Sequence, residues 1–264
     1  MRAVLTIAGS DSIAGAGIQG DLKTLAALGV YGTAAVTAVT SQNTSGVLDV
    51  LALPAETVRS QIDAVAGDVS LSAIKTGMLA TADIAQVVAE TLRRLGHPKV
   101  VVDPVMIASG AGQRTLLSQD AVQLLKTHLL PLAAVVTPNI PEAQVLTGID
   151  VRTMQHARDA AKRILDFGAR AVVVKGGHLE GPDAVDLLYD GTAMIEFAAP
   201  RSAYGSVHGT GCAFATAIAA GLALGDDLPA AVQRAKTYVA GAIAHSFEIG
   251  AGARLLNHFW IYNP

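Results

Sequence analysis

The sequence predicts an α/β fold whose central, mostly parallel sheet is covered by helices. Short β-branched runs alternate with longer helical patterns along the chain, which is the order that parallel strands with crossover helices require. Several of the runs are apolar at consecutive positions, as strands buried on both faces are. The 264 residues contain no linker, repeat or low-complexity segment, so we expect a single domain over residues 1–264.

Nine strands are predicted. The first seven, in chain order, are AVLTIAG (3–9), GTAAVTAVT (32–40), VLDVLAL (47–53), SAIKTG (72–77), KVVVDPV (99–105), AAVVTPN (133–139) and RAVVVKGG (170–177). The last two, DAVDLLYDG (183–191) and TAMIEFA (192–198), surround a YDGT turn and predict a β-hairpin that interrupts the β–α rhythm.

The intervening helices have apolar residues at helical spacing, and some are closed by a glycine. The clearest are AETVRSQIDAVAGD (55–68), ADIAQVVAETLRRLG (82–96) and MQHARDAAKRILDFGA (154–169). A small-residue helix is expected from CAFATAIAAG (212–221), directly after a glycine loop.

The composition argues against several partners and locations. A formal net charge of -3 gives no basic footprint for nucleic acid or an anionic membrane. The longest small-apolar run, residues 212–225, has 14 residues, fewer than the roughly 18–20 that span a bilayer. One cysteine cannot form an intrachain disulfide, which fits a reducing compartment. We therefore expect a cytoplasmic protein.

Polar residues follow the predicted strands where those strands end. The segments are GSD, TSQN, KTGM, DPVM, TPNIPE and KGGH. Ligands of parallel α/β sheets bind beyond the carboxyl ends of the strands. This edge of the sheet is therefore the predicted site.

The first of these segments, GSDSIAGAGIQGDLKTL (9–25), predicts a glycine-rich turn whose free N–H groups hold an anion or polar ligand. It matches a dinucleotide fingerprint only nominally, because no acidic residue ends the next strand. Asp21 falls on an apolar helix face with Ile18, Leu22 and Leu25. Two interpretations stay open: a first-turn carboxylate that complements the helix dipole, or a ligand contact.

Asp103, Asn139 and Glu142 follow buried strands, and such carboxylates suit Mg²⁺ held beside nucleotide phosphates. Glu142 alternatively caps a helix after Pro141. Gln42 is either a solvated loop residue or a ligand contact.

Lys175 ends an apolar strand before two glycines, where a phosphate is a natural partner. There is no P-loop motif. Lys236 either extends its charged end from a packed helix or borders the nucleotide. The HGTGC segment (208–212) predicts an anion cradle of N–H groups at a helix N-terminus.

Cys212 itself has two interpretations. It is either a small buried filler or a thiolate whose pKa the helix N-terminus lowers to about 3.5–7.5.

Taken together, these segments and the final LLNHFW resemble, in order and spacing, the hydroxymethylpyrimidine/phosphomethylpyrimidine kinases of thiamine biosynthesis. That family belongs to the ribokinase-like kinases. The resemblance implies a three-layer α/β/α fold, use of ATP and Mg²⁺, and a homodimer. It also implies phosphorylation of 4-amino-5-hydroxymethyl-2-methylpyrimidine and then of its monophosphate.

The resemblance further implies roles for individual residues. The pyrimidine would be surrounded by Gly9, Asp21, Gln42, Met78 and Val105. Asp21 and Gln42 would hydrogen-bond its ring nitrogen and amino edge. Asp103 and Glu142 would serve the magnesium, and Asn139 and Lys175 the nucleotide phosphates. The N–H groups of Gly209, Thr210, Gly211 and Cys212 would form the anion hole. Cys212 would be the general base, or would orient the substrate hydroxyl.

The match has two departures. Ile13 and Ala14 stand where the family has a glycine pair, and Ser206 and Val207 stand where it has Asn-Thr. Three other functions stay open: a kinase of vitamin B6 compounds, a pyrimidine-binding regulatory protein without turnover, and a dehydrogenase on a similar sheet.

Overall fold

The computed structural model describes residues 1–106, 119–202, 204 and 207–262. Its central feature is a nine-stranded sheet. In chain order the strands are β1 (Ala3–Asp11), β2 (Tyr31–Asn43), β3 (Gly46–Ala52), β4 (Leu71–Thr76), β5 (Val100–Val102), β6 (Val135–Val136), β7 (Val172–Val174), β8 (Asp183–Tyr189) and β9 (Met194–Pro200). Their order in the sheet is β3-β2-β1-β4-β5-β6-β7-β8-β9.

Six neighbouring strands run parallel, in the sheet order β2, β1, β4, β5, β6 and β7. β3 pairs antiparallel with β2 at one edge. At the other edge β8 pairs antiparallel with β7, and β8 and β9 form the predicted hairpin. Because the six parallel strands point the same way, their carboxyl ends share one edge of the sheet. The loops that leave this edge carry most of the predicted site residues.

The helices are α1 (Gly17–Ala27), α2 (Ala55–Asp68), α3 (Ala82–Leu95), α4 (Gln119–Leu124), α5 (Ile140–Thr147), α6 (Met154–Leu165), α7 (Thr210–Leu224) and α8 (Leu228–Ala244). A π-helical turn (Leu125–Leu129) and a 3-10 turn (Leu130–Leu132) follow α4, and a second 3-10 turn spans Gly176–His178. Two short strands, β10 (Val207–His208) and β11 (Arg254–Leu255), pair parallel beside the main sheet.

The sheet separates two hydrophobic cores. Leu5, Ile7 and Val102 pack toward α2, α3, α5 and α6. Val4 and Val101, from the alternate positions of the same strands, pack toward α1, α7 and α8. Successive side chains of a strand point to opposite faces, so a strand covered on both sides must be apolar throughout. The predicted three-layer α/β/α fold is confirmed, whereas a single domain over residues 1–264 stays a prediction.

The boundaries follow the local signals. α2 spans the predicted residues, and α3 begins after the N-cap Thr81 and ends at Gly96, whose φ is 60°. α6 ends at Leu165, earlier than predicted, and the chain turns at Gly168 with φ 97°. β5, β6 and β7 are also shorter than predicted, because the polar residues after them leave the sheet.

No helix in the described parts of the chain combines the length and hydrophobicity needed to cross a bilayer.

Candidate active site

A pocket opens at the carboxyl edge of the parallel strands. It encloses about 770 Å³ of space, part of it open to solvent. Eleven of the predicted site residues line it: Gly9, Gln42, Met78, Asp103, Val105, Asn139, Glu142, Lys175, Gly209, Gly211 and Cys212. Asp21 and Thr210 are not among the described lining residues. Residues from seven separate segments of the chain therefore meet in one cavity, as the sheet edge predicts.

One wall of the pocket holds an ion pair. Lys175 Nζ donates to Asp103 Oδ1 over 2.8 Å, and Thr137 Oγ1 donates to the same oxygen over 3.2 Å. Burial alone lowers the pKa of Lys175, but the Asp103 and Glu142 carboxylates more than offset this and raise it. Lys175 therefore stays charged, and among the described residues no hydrogen bond to Asp103 Oδ2 is found.

Glu142 closes the capping box of α5. Its backbone N–H donates to Asn139 Oδ1, its Oε2 accepts from the Asn139 N–H, and both distances are 2.8 Å. The capping interpretation is thus confirmed, and it does not remove Glu142 from the pocket wall. Burial is the largest contribution that raises the pKa of Glu142 to about 7; Lys175 opposes it and Asp103 adds to it.

The opposite wall is the N-terminus of α7. Its N-cap Gly209 has φ 87°, and a Cβ there would overlap the carbonyl oxygen of Gly15. Thr210 Oγ1 turns back to donate to the Val207 carbonyl over 2.7 Å. A Cβ on Gly211 would lie 3.1 Å from Lys175 Nζ, so the ammonium lies beside this helix start. The first N–H groups of a helix have no partner within it, so Lys175 and α7 present donors to the same space.

Cys212 lies at the start of α7 and is partly exposed in the pocket. Burial is the largest contribution that raises its pKa to about 11; Lys75 and the Gly17 N–H lower it, and Asp103 and Asp21 raise it. The predicted lowering by the helix N-terminus is therefore wrong, because desolvation outweighs it. At neutral pH the group is a thiol.

The reactivity of Cys212 should therefore depend steeply on pH. Below a pKa of about 11, the thiolate fraction grows about tenfold per pH unit. We expect the rate of iodoacetamide alkylation to rise throughout pH 7–10, whereas a free thiol of pKa about 8.5 levels off. Mass spectrometry of quenched samples measures the rate. A rate that is already constant from pH 6 to 8 would show the lowered pKa instead.

Asp21 lies beneath the pocket with no exposed surface. Its Oδ2 accepts from Lys75 Nζ over 2.8 Å and from Thr6 Oγ1, and its Oδ1 accepts from Thr216 Oγ1 over 2.6 Å. It is the fifth residue of α1, so it is not the first-turn carboxylate of the dipole interpretation. These donors occupy both oxygens; the predicted ring contact stays a prediction.

Lys75 is a functional candidate that the sequence analysis missed. It is fully buried in β4, and although burial lowers its pKa, the charge of Asp21 above all raises it overall. The signal in the sequence was a lysine in the middle of the predicted strand SAIKTG. A buried lysine requires a partner.

The first loop departs from its predicted role. Asp11, at the end of β1, accepts from the N–H groups of Ile13, Gly15 and Ala16 at 2.8–3.0 Å. The predicted free N–H groups are therefore occupied by the protein's own carboxylate, which also argues against a dinucleotide site. Ala14 takes φ 58°, a conformation that favours glycine.

The side of the pocket where the substrate is predicted to bind is formed by the ends of β1 and β2 and by Met78 after β4. A Cβ on Gly9 would overlap Met78, so glycine lets that side chain approach. Gln42 Nε2 lies 3.2 Å from His208 Nε2, and His208 Nε2 lies 2.9 Å from Asp11 Oδ2. Asp11 and His208 had no assigned role in the sequence analysis.

Two further predictions concern the surroundings of the pocket. Lys236 Nζ donates to Asp186 Oδ2 over 2.8 Å, and Asp186 Oδ1 accepts from the Gly176 N–H over 2.9 Å. This buried pair supports the turn after Lys175. Two positions before the glycine loop, Ser206 and Val207, depart from the family pattern. Val207 pairs with Arg254 in the small sheet, whereas Ser206 lies outside the described residues.

Comparisons with known proteins identify the family of this chain. A model of the family "Phosphomethylpyrimidine kinase" matches residues 11–257. The hydroxymethylpyrimidine/phosphomethylpyrimidine kinase of Streptomyces coelicolor is 48% identical over 257 residues, which cover 97% of this chain and 94% of that protein. The thiamine biosynthesis bifunctional protein ThiED of Geobacter sulfurreducens is 48% identical over 255 residues, but this chain spans 52% of its length.

A solved structure gives the same fold. The ADP complex of Bacillus subtilis pyridoxal kinase matches with a TM-score of 0.92 and 36% identity, covering 100% of both chains. With the family model extending over most of the sequence and the sheet-edge pocket in place, the chain belongs to the phosphomethylpyrimidine kinase family.

Proposed function

We propose that the protein transfers the γ-phosphoryl group of ATP to the hydroxymethyl oxygen of 4-amino-5-hydroxymethyl-2-methylpyrimidine and then phosphorylates the monophosphate. The observation that carries this proposal is the position of Lys175, paired with Asp103 on one wall and beside Gly211 on the other. Phosphoryl transfer depends mainly on positioning and on stabilising charge. Lys175 and the N–H groups of α7 supply donors for that charge.

In the transfer step the hydroxymethyl oxygen forms a bond to the γ-phosphorus while the bond to the bridging oxygen of ADP breaks. The hydroxyl proton passes to an oxygen of the transferring phosphoryl group and from there to solvent. Cys212 adjoins this space as a thiol, so its raised pKa favours a role in orienting the hydroxyl over that of a resting-state base. The anion hole and Lys175 then carry most of the stabilisation.

Mg²⁺ fits the pocket wall formed by the Asp103 and Glu142 carboxylates, here called the acidic wall. The ion would be shared between these carboxylates and the nucleotide phosphates. No group of three or more metal-ligating side chains occurs in the described residues. Mg²⁺ commonly uses one or two carboxylates and completes its shell with substrate phosphates and water. We assign Asp103 and Glu142 to that role; a bound Mg²⁺ would neutralise developing phosphate charge there.

The alternatives have less support. Pyridoxal kinase activity is favoured by the solved structure at 36% identity, whereas the pyrimidine kinase relative is 48% identical. A protein without turnover is disfavoured because Asp103, Glu142, Lys175 and Cys212 all line one pocket. The occupied N–H groups of the first loop argue against a dehydrogenase.

The assembly and location are also proposals. The net charge of -3 argues against nucleic acid as a partner. We propose a homodimer, supported by apolar side chains at one edge of the sheet: Leu48 and Leu51 of the edge strand β3 are 72% and 65% exposed, and Val39 of the adjacent β2, opposite Leu51, is 46% exposed. A protomer mass in solution would contradict it. The cytoplasmic location stays a prediction.

An ADP-release assay tests the function. The panel contains the pyrimidine, its monophosphate, pyridoxine, pyridoxal and ribose, each with ATP–Mg²⁺ and with excess chelator. We expect turnover of the two pyrimidines, dependent on the metal, and at most weak turnover of the others. Pyridoxal as the best substrate, or activity that survives chelation, would contradict the proposal in its respective part.

A further inference from the structure

Gln42, on the predicted substrate side of the pocket, belongs to a hydrogen-bonded cluster with Asp11, Thr40 and His208. The backbone of Gln42 is held by Ser12, whose hydroxyl donates to the Gln42 carbonyl and accepts from its N–H, both over 2.7 Å. Asp11, Thr40 and His208 are 3%, 5% and 7% exposed. The backbone of Gln42 is therefore fixed, and the open question is which way its side-chain amide is turned, with Oε1 or Nε2 toward His208.

The contact between His208 and Asp11 fixes where the imidazole carries a proton. Asp11 Oδ2 accepts from Gly15 and Ala16 as well as facing His208 Nε2 at 2.9 Å. Although burial alone raises the pKa of Asp11, His208 and the backbone donors outweigh burial and lower it. An ionised carboxylate only accepts. His208 Nε2 must therefore carry a hydrogen, whether the ring is neutral or charged.

That hydrogen decides the orientation of the Gln42 amide. Gln42 Nε2 lies 3.2 Å from His208 Nε2, and two N–H groups repel each other. At the other end, Gln42 Oε1 lies 3.3 Å from Thr40 Oγ1, whose single hydrogen is already donated to the Ser10 carbonyl over 2.9 Å. Rotating the amide by 180° removes both conflicts at once. Oε1 then shares the His208 Nε2 hydrogen with Asp11 Oδ2 in a three-centre hydrogen bond, and Nε2 donates to Thr40.

After this rotation, the hydrogen-bonding groups of the Gln42 amide that remain for a ligand can be counted. A primary amide has two N–H donors and two acceptor lone pairs. His208 uses one lone pair and Thr40 accepts one hydrogen, which leaves one acceptor next to one donor. This is the complement of a ring nitrogen adjacent to an exocyclic amino group. A ring with an oxo group in place of the amino group presents the reverse pattern.

We propose that His208 is a specificity-determining positioning residue, which fixes the Gln42 amide so that it accepts a 4-aminopyrimidine edge and rejects a 4-oxo edge. The inference rests on the proposed pyrimidine kinase function and deepens it. His208 acts through Gln42. Without the His208 donor, the amide can rotate to match either ring.

The first measurement uses the unmodified protein without ligand. Nitrogen-15 NMR of the imidazole rings, with His208 assigned by its disappearance in His208→Gln, should show Nε2 protonated at neutral pH. A neutral ring protonated only at Nδ1 would overturn the proposal. This result does not depend on turnover, and the spectrum of folded His208→Gln serves only for the assignment.

The second measurement compares the affinities of 4-amino-5-hydroxymethyl-2-methylpyrimidine and its 4-oxo analogue by calorimetry. The unmodified protein should prefer the amino ring by about tenfold to a hundredfold, the range that one mismatched buried hydrogen bond gives. His208→Gln, which keeps a donor in place of Nε2, should retain this preference. His208→Phe should lose about tenfold or more of it.

The outcomes separate the two proposals. An unchanged preference in folded His208→Phe, or no preference in the unmodified protein, overturns the role of His208. A preserved amino-ring preference without any ADP release contradicts the proposed function and leaves the role of His208 supported.

Discussion

Lys175→Met should lower kcat by about 10²- to 10³-fold, the loss that removal of one preorganised donor to a developing charge typically causes. The structural reason is the position of the ammonium. It lies 2.8 Å from Asp103 Oδ1 and beside Gly211 at the start of α7, so it faces both the acidic wall and the proposed anion hole. Methionine keeps the length of the side chain and removes the charge and its donors.

The substitution also changes the acidic wall. Lys175 opposes the rise in the pKa of Glu142, which burial and Asp103 cause. Without Lys175, Glu142 should bind a proton more readily, and the remaining activity should shift to higher pH.

Steady-state ADP release gives kcat and KM for the pyrimidine, and a thermal melt checks folding. Lys175→Arg serves as the matched control, because it keeps the charge with a different geometry and should retain more activity than methionine. If folded Lys175→Met keeps more than about a tenth of kcat, Lys175 does not stabilise the transferring phosphoryl group.

The site illustrates what a sequence shows and what it leaves out. Strand ends were predictable, since apolar runs that stop at Asp103, Asn139 and Lys175 mark the edge where parallel strands deliver their polar residues. The pocket brings these three together with Cys212. Local patterns were sufficient here because each residue is positioned by its own strand or helix start.

Pairings between distant segments were not predictable. Gln42 and His208 are 166 residues apart, and Lys75 and Asp21 are 54 apart. No local periodicity connects them, because each pairing follows from how the helices pack on the sheet. The prediction that the pKa of Cys212 is lowered was wrong for a related reason. The helix start is visible in the sequence, but the burial that outweighs its effect on the pKa is a property of the packed structure.

The buried pair beneath the pocket should contribute strongly to stability. Lys75 and Asp21 have no exposed side-chain surface and lie 2.8 Å apart. Lys75→Met would leave the Asp21 carboxylate in the core with hydroxyl donors from Thr6 and Thr216. Breaking a buried pair from one side costs about 3–5 kcal/mol, so we expect the free energy of unfolding to fall by about that amount.

Urea unfolding followed by circular dichroism measures the change, with the slope of the transition checked for constancy. Asp21→Leu should cost a similar amount, since it leaves the Lys75 ammonium buried without its partner. The double variant Lys75→Met/Asp21→Leu is the matched control. It removes both charges and should recover most of the loss, because replacing a buried pair with apolar residues is often near neutral.

The coupling between the two substitutions carries the argument. If the single losses simply add in the double variant, each side chain acts through its own packing and the ion pair contributes nothing specific. Recovery in the double variant shows instead that the cost arises from an unpaired buried charge. The pair joins β4 to α1, and Thr216 extends it to α7 one turn after Cys212. This pair holds α1 and α7 in place, and the N-termini of both helices lie at the Cys212 thiol. Its loss should therefore alter the bottom of the pocket as well as lower the free energy of unfolding.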